Sequence, residues 1–173
     1  MTLLKIPVPT TTILAQNPEN QWEIAVFRST GKHGNKLVIP GGRVKVGRQN
    51  HFETGKVELT EELGMTIENP KFFCISDHPL RDVRVISIEK FADGNPVPEE
   101  LVGMSVEGYY CFDVSIYGVA NGTPKADGDE GKEPAWYDLR NLDEGDFALD
   151  HGRLAVLFRK YLETGEVPSL GSL

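Results

Sequence analysis

The sequence predicts one domain of the α+β or α/β class, with a mixed sheet and two helices. Apolar segments of strand length recur along the chain, while only two segments have a helical period. The 173 residues are 39% hydrophobic and 25% charged, which is ordinary for a globular protein that buries its own core. We therefore expect residues 1–173 to form a single domain.

Three predicted strands precede the first helix. Residues 9–15 and 22–28 are apolar, and residues 17–20 (NPEN) between them have the composition of a hairpin turn. Residues 37–39 (LVI) form a third short strand, which the Pro-Gly-Gly sequence at residues 40–42 ends.

The first helix is predicted at residues 51–63. Asn50 is a suitable N-cap, with Glu53 as its capping-box partner, and Gly64 suits a left-handed C-cap. Gly55 lies close to the apolar side, where a missing side chain lets a helix approach a sheet. The predicted apolar face consists of Phe52, Leu59 and Leu63.

Strands dominate the second half of the chain. Loops at residues 92–98 and 121–134 separate some of them, and a second helix at residues 151–163, which His151 helps to start, closes the chain. The apolar face of that helix is Leu154, Leu157, Phe158 and Tyr161. The predicted strands are residues 71–76, 83–91, 106–119 and 135–137.

Composition excludes several classes of function. The net charge of −8 argues against binding long nucleic acid, which requires a basic surface, but it allows a small phosphorylated substrate. No apolar run is long enough to cross a membrane, and the N-terminus lacks the features of a signal peptide. Cys74 and Cys111 lie in strand-like segments and are expected to be buried free thiols, with a disulfide as the alternative. A reducing, cytoplasmic location follows from that expectation.

Three glutamates in the first helix are the main chemical feature. Their spacing places Glu58, Glu61 and Glu62 on one helix face, where like charges repel by a few tenths of a kcal/mol per pair, on the order of 0.2–0.5. A divalent cation would neutralise them, and hard carboxylate oxygens suit Mg²⁺ or Mn²⁺. The alternative is a solvated acidic face with no ligand.

The segment around these glutamates resembles the signature of the Nudix hydrolase family, G-x5-E-x7-R-E-U-x-E-E-x-G-U, in which U is aliphatic. Gly42 matches the opening glycine, and residues 58–65 (ELTEELGM) match every fixed position of the closing half. The resemblance implies a Nudix fold, an α+β fold built as an α/β/α sandwich in which helices flank a central mixed sheet. It also implies that Glu58, Glu61 and Glu62 bind metal together with the backbone carbonyl of Gly42.

The signature is incomplete in two places. Glu58 follows Gly42 one residue later than in the signature, and Arg48 or Gln49 replaces the first signature glutamate. Val57 replaces the signature arginine. If the two family residues mainly support each other, their joint loss leaves neither unpaired and is tolerated. The opposite interpretation is that the loss of both residues leaves the helix less precisely held and the activity weak or absent.

Other segments also resemble the family, and in particular its ADP-ribose pyrophosphatase branch. In many members a loop glutamate that precedes a Trp-aromatic strand is an extra metal ligand or general base. Glu130, six residues before Trp136, is the first candidate for this role, followed by Glu133 and Asp129. Residues 81–84 (RDVR) resemble another segment of that branch, so Arg81 or Arg84 would contact a phosphate. Exposed acidic residues and a surface ion pair are the alternatives.

These features together predict a Mg²⁺- or Mn²⁺-dependent hydrolase that cuts the diphosphate of a nucleoside diphosphate derivative, such as ADP-ribose or a nucleotide sugar. A nucleoside triphosphate pyrophosphohydrolase and a domain that binds a nucleotide without cutting it are the alternatives. Expected partners are a small nucleotide substrate and, as an assembly, a homodimer. Phe27, Tyr110 or Trp136 would stack on the base, although aromatic residues in strands more often belong to the core.

Overall fold

The computed structural model describes residues 5–30, 33–77, 108–125 and 131–168. The predicted strand at residues 83–91 and the loop at residues 92–98 lie outside these ranges. The described chain contains eight strands and two α-helices. The elements in chain order are β1 (Lys5–Asn17), β2 (Asn20–Ser29), β3 (Leu37–Val38), β4 (Gly41–Arg43), α1 (His51–Leu63), β5 (Thr66–Ile67), β6 (Lys71–Asp77), β7 (Gly108–Asn121), β8 (Gly131–Asp138) and α2 (His151–Thr164).

The sheet is mixed, as predicted. Its centre is the parallel pair β1 and β7, in which Thr10 is opposite Asp113 and Thr12 is opposite Ser115. The antiparallel hairpin partner of β1 is β2, which pairs in turn with β3 and β8. Strand β6 pairs with β7, and the short strand β4 pairs with β1. The parallel central pair brings two segments about a hundred residues apart in the chain into one register.

Local signals set the ends of the first helix. The Asn50 side chain accepts a hydrogen bond from the Glu53 N–H, and the Glu53 carboxylate accepts one from the Asn50 N–H, each at 2.9 Å. Gly64 has a φ of 63° and ends the helix in the left-handed conformation. The predicted capping box, helix bounds and C-cap are therefore confirmed.

The two helices cover opposite faces of the sheet. Alternation along the strands separates two clusters, because neighbouring residues of a strand point to opposite faces. Ile13 packs in the cluster that contains Leu59 and Leu63 of α1. Leu14, the next residue, packs in the cluster that contains Phe158 of α2. The predicted α/β/α sandwich is confirmed.

Some predicted details differ from the structure. Phe52 is 39% exposed and does not belong to the buried face of α1, because the helix meets the sheet through Thr54 and Gly55 in its first turns. Strand β8 begins at Gly131, inside the predicted loop at residues 121–134, because pairing with β2 continues to Ser29. Cys74 is a buried free thiol, as expected.

Among the described helices, none has the length and apolarity needed to span a membrane.

Candidate active site at the glycine loop and α1

The candidate site forms where the Pro-Gly-Gly turn meets α1. Strand β4 pairs antiparallel with β1, so that Gly41 is opposite Thr12 and Gly42 is opposite Thr11. A Cβ at Gly41 would overlap the backbone of Thr11. Glycine is therefore required at this position to let the turn lie directly against the central strand.

Glu58 and Glu62 lie one helical turn apart and both approach this turn. The Gly41 N–H donates a hydrogen bond to the Glu62 carboxylate at 2.9 Å. A Cβ at Gly42 would overlap the carboxylate of Glu58. The missing side chain at Gly42 thus leaves room for the Glu58 carboxylate, and the Gly41 N–H fixes the orientation of the Glu62 carboxylate. Both glutamates are half-buried.

Glu61 lies at the same end of α1 but is exposed. Among residues 5–30, 33–77, 108–125 and 131–168, no three His, Cys, Asp or Glu side chains are grouped closely enough to hold a metal ion. The described residues therefore supply a pair of convergent carboxylates, Glu58 and Glu62, and further ligands would have to approach that pair.

A turn accommodates the extra residue between Gly42 and Glu58. The N–H groups of Arg48 and Gln49 both donate to the carbonyl of Lys45, at 2.9 and 3.0 Å, and Gly47 has a φ of 79°. Gly42 and Glu58 remain in contact on either side of this segment. The lengthened spacing is thus compatible with the contact between the glycine loop and the helix.

Several predicted site residues fall outside the described ranges, namely Glu130, Asp129, Arg81 and Arg84. Glu133, the second candidate for the loop ligand, forms an ion pair with Arg28 at 3.2 Å. Phe27 is only 4% exposed, and its ring lies so close to Gly131 that a Cβ there would overlap it. Phe27 is therefore a core residue, as is usual for an aromatic residue in a strand, and it offers almost no surface to a substrate.

Two polar contacts near the central strands were not apparent from the sequence. His51, the first residue of α1, hydrogen bonds through Nδ1 to the Thr11 hydroxyl at 2.8 Å. On the opposite face, the Asp113 carboxylate accepts hydrogen bonds from Thr10 at 2.9 Å and Ser115 at 3.0 Å. The Thr12 hydroxyl donates a third hydrogen bond to the Asp113 carboxylate at 3.1 Å.

Asp113 is a desolvated acid. Desolvation raises its pKa above the usual value of 3.8, although the three hydroxyl hydrogen bonds and nearby His51 oppose this shift.

Burial likewise raises the pKa of the Cys74 thiol to about 11. Cys74 is therefore an unreactive thiol at neutral pH.

Solved structures resemble the whole fold. The NUDIX domain of Shewanella oneidensis NrtR, solved with ADP ribose, matches with a TM-score of 0.67 at 14% identity over 92% of this chain and 90% of that one. A structure from a study of MutT from Aliivibrio salmonicida and Vibrio cholerae matches with a TM-score of 0.56 at 15% identity, covering 91% and 98% of the two chains. MutT from Bacillus halodurans matches with a TM-score of 0.56 at 21% identity, covering 86% and 80%.

No protein-family model and no curated protein matches the sequence. The likeness therefore rests on structure, and at these identities it establishes the fold: the chain folds as Nudix and MutT proteins do. The Nudix fold predicted from the signature is confirmed.

Proposed function

We propose that this chain, which has the Nudix fold, is a hydrolase that cuts the diphosphate linkage of a nucleoside diphosphate derivative such as ADP-ribose or a nucleotide sugar. The observation that carries the proposal is the approach of Glu58 and Glu62 to the Gly41–Gly42 backbone. A similar structure solved with ADP ribose supports this substrate class.

The convergent carboxylates suit a hard divalent cation. Glu58 and Glu62 repel each other at their helical spacing, yet the structure holds both against one loop. Glu61 from α1, the Gly42 carbonyl and Glu130, which precedes β8 in the sequence, are proposed to complete the ligand set. Mg²⁺ or Mn²⁺ bound there would neutralise charge on the diphosphate and lower the pKa of a nearby water.

The residues of the chain have distinct roles in the proposed reaction. Glu62 is held by the Gly41 N–H, so its carboxylate is oriented before any ligand arrives, which reduces the cost of ordering it on binding. Glu130 or a helix glutamate accepts the proton of the attacking water. Water attacks one phosphorus, the bridging P–O bond breaks, and a nucleoside monophosphate leaves. Arg81 or Arg84 contacts a phosphate.

The decisive experiment compares Glu62→Gln with the wild-type protein on ADP-ribose, nucleotide sugars and nucleoside triphosphates, with Mg²⁺ or Mn²⁺. Glutamine keeps the shape of the side chain and an acceptor for the Gly41 N–H, so folding is expected to be unchanged. Release of monophosphate from ADP-ribose or a nucleotide sugar should fall on the order of 100-fold or more. Glu53→Gln is the matched control, because it is the same change in the same helix and glutamine also forms a capping box.

Equal turnover by Glu62→Gln and wild type would remove Glu62 from the mechanism. Turnover of triphosphates alone would replace the proposed substrate class with that of a triphosphate pyrophosphohydrolase. Metal binding has its own measurement: Mn²⁺ at about 100 times its Kd should stabilise the wild-type fold by about 2.7 kcal/mol, and this gain should largely disappear in Glu62→Gln.

A second candidate function is nucleotide binding without cleavage. Two observations favour it: Val57 replaces the signature arginine, and in the described part of the chain only two of the helix glutamates, Glu58 and Glu62, are held against the glycine loop. Calorimetric binding of ADP-ribose without release of monophosphate under any metal condition would favour this function over hydrolysis.

A further inference from the structure

His151 connects the start of α2 to the chain just before the glycine loop. The Ile39 N–H donates a hydrogen bond to His151 Nδ1 at 2.9 Å, although the two residues are 112 positions apart. The same two segments also join through the Ala148 N–H, which donates to the Leu37 carbonyl at 2.9 Å. The segment before the turn is therefore attached to the segment that begins α2.

The direction of the hydrogen bond defines the state of the ring. A backbone N–H can only donate, so His151 Nδ1 is the unprotonated acceptor and Nε2 carries the hydrogen. Desolvation lowers the pKa of His151 to about 4, with a further contribution from His33. The ring is therefore neutral at physiological pH, which is the state that this hydrogen bond requires.

The Ile39 N–H needs this acceptor. Ile39 is completely buried and follows the end of β3 at Val38, so its N–H lies beyond the ladder with β2. A buried N–H without an acceptor is strongly disfavoured. Without His151, the backbone would be expected to shift until Ile39 reaches water or another acceptor.

A shift at Ile39 would be transmitted to the glutamate pair. The next residue, Pro40, accepts a hydrogen bond from the Ile13 N–H at 2.8 Å, which fixes the far side of the turn. Gly41 follows and donates to Glu62. Consecutive backbone groups thus connect His151 to the Glu62 carboxylate through only three residues of chain.

We propose that His151 is a positioning residue for the glutamate site: its Nδ1 holds Ile39, and through Ile39 it sets the position of Gly41 against Glu62. The inference rests on the proposed function, because it assigns His151 to the same site. It adds a residue from the opposite helix that the signature segment does not contain.

Two substitutions separate positioning from packing. His151→Asn keeps an acceptor, since the asparagine Oδ1 lies at about the same distance from the backbone as histidine Nδ1. His151→Leu keeps a side chain of comparable size without an acceptor. We expect Mn²⁺ affinity, measured from free Mn²⁺ by electron paramagnetic resonance, to fall about 10-fold in His151→Leu, as for other residues that support metal ligands. His151→Asn should remain within about 2-fold of wild type, because the acceptor is kept.

Amide hydrogen exchange provides a readout that needs no metal. The Ile39 and Gly41 amides should exchange faster in His151→Leu than in wild type, while those of His151→Asn should stay protected. A nitrogen–nitrogen coupling across the Ile39-to-His151 hydrogen bond should be measurable in the wild-type protein by NMR. A purely structural role would lower the stability of His151→Leu but leave Mn²⁺ affinity of the folded protein unchanged.

Two results would overturn the inference: Mn²⁺ affinity and Gly41 exchange in His151→Leu that match wild type, or a loss in His151→Asn as large as that in His151→Leu. Failure of the proposed function gives a different pattern. If the wild-type protein binds no Mn²⁺, the metal site is wrong, and the exchange rates of Ile39 and Gly41 alone decide whether His151 positions the loop.

Discussion

The two faces of the sheet are built in different ways. On the α2 face, aromatic rings interlock: the Phe73 and Phe158 rings lie 5.2 Å apart at 86°, and the Tyr117 and Tyr161 rings lie 5.4 Å apart at 68°. The two tyrosine hydroxyls share a hydrogen bond of 2.7 Å. On the α1 face, the helix approaches the sheet through Gly55, where a Cβ would lie 2.6 Å from Ile116.

This difference between the faces indicates that the α2 face mainly stabilises the fold, whereas the edge of α1 carries the candidate active site. Edge-to-face aromatic pairs add to the apolar burial of the α2 face. The α1 face also buries Leu59 and Leu63, but its outer edge places like-charged Glu58 and Glu62 against backbone rather than against apolar side chains. We therefore expect substitutions in the α2 face to act mainly on stability, and substitutions at the edge of α1 to act mainly on activity.

The largest expected effect is on the α2 face. Phe158→Ala should lower the free energy of unfolding by about 3–5 kcal/mol, because Phe158 is completely buried and packs against Phe73, Tyr117 and Tyr161. Urea titration measures this loss. Activity per folded molecule should not change, and Val167→Ala, at a residue 59% exposed, is the control. A fall in kcat larger than the loss of folded protein would contradict the separation of the two faces.

Substitutions at the two adjacent glycines of the loop should also separate an effect on stability from an effect on metal binding. Gly41→Ala places a methyl group against the Thr11 backbone, which cannot yield easily, so stability should fall by about 1–3 kcal/mol. Gly42→Ala instead meets the flexible end of Glu58, so we expect stability within about 0.5 kcal/mol of wild type and weaker Mn²⁺ binding. Thermal unfolding and Mn²⁺ titration of both variants measure the difference. If Gly42→Ala instead loses stability and keeps its Mn²⁺ affinity, the position of the Glu58 carboxylate does not depend on the missing side chain at Gly42.

The last test is a pH dependence from His151, the residue that joins the start of α2 to the chain before the glycine loop. Its pKa is lowered from 6.5 to about 4 in the folded protein, so the unfolded chain binds the proton more readily between these values. The contribution of neutral His151 to the free energy of unfolding is therefore fully present above about pH 6.5 and is lost as the pH falls towards 4. The free energy of unfolding should change by at most about 1.4 kcal/mol per pH unit in this window. His151→Asn should have a shallower slope in this window, as measured by urea titration at several pH values. Equal slopes would show that His151 does not titrate there.

Local sequence patterns are sufficient to predict the parts of the protein that depend on neighbours a few residues away. The capping box of Asn50 and Glu53, the αL cap at Gly64 and the hairpin between β1 and β2 all follow from short-range hydrogen bonds and backbone preferences. The glutamate spacing on α1 is also local. Because such signals act within a few residues, their pattern in the chain is sufficient to predict them.

Contacts between distant segments become visible only in the folded protein. The position of Phe27 in the core depends on the register between β2 and β8, and the three hydroxyls around Asp113 come together through the pairing of β1 with β7. The contact of Gly41 with Glu62 and that of Ile39 with His151 join segments 21 and 112 residues apart. These contacts are fixed by strand register and by the packing of both helices on one sheet, because neither has a periodic or compositional signal along the chain.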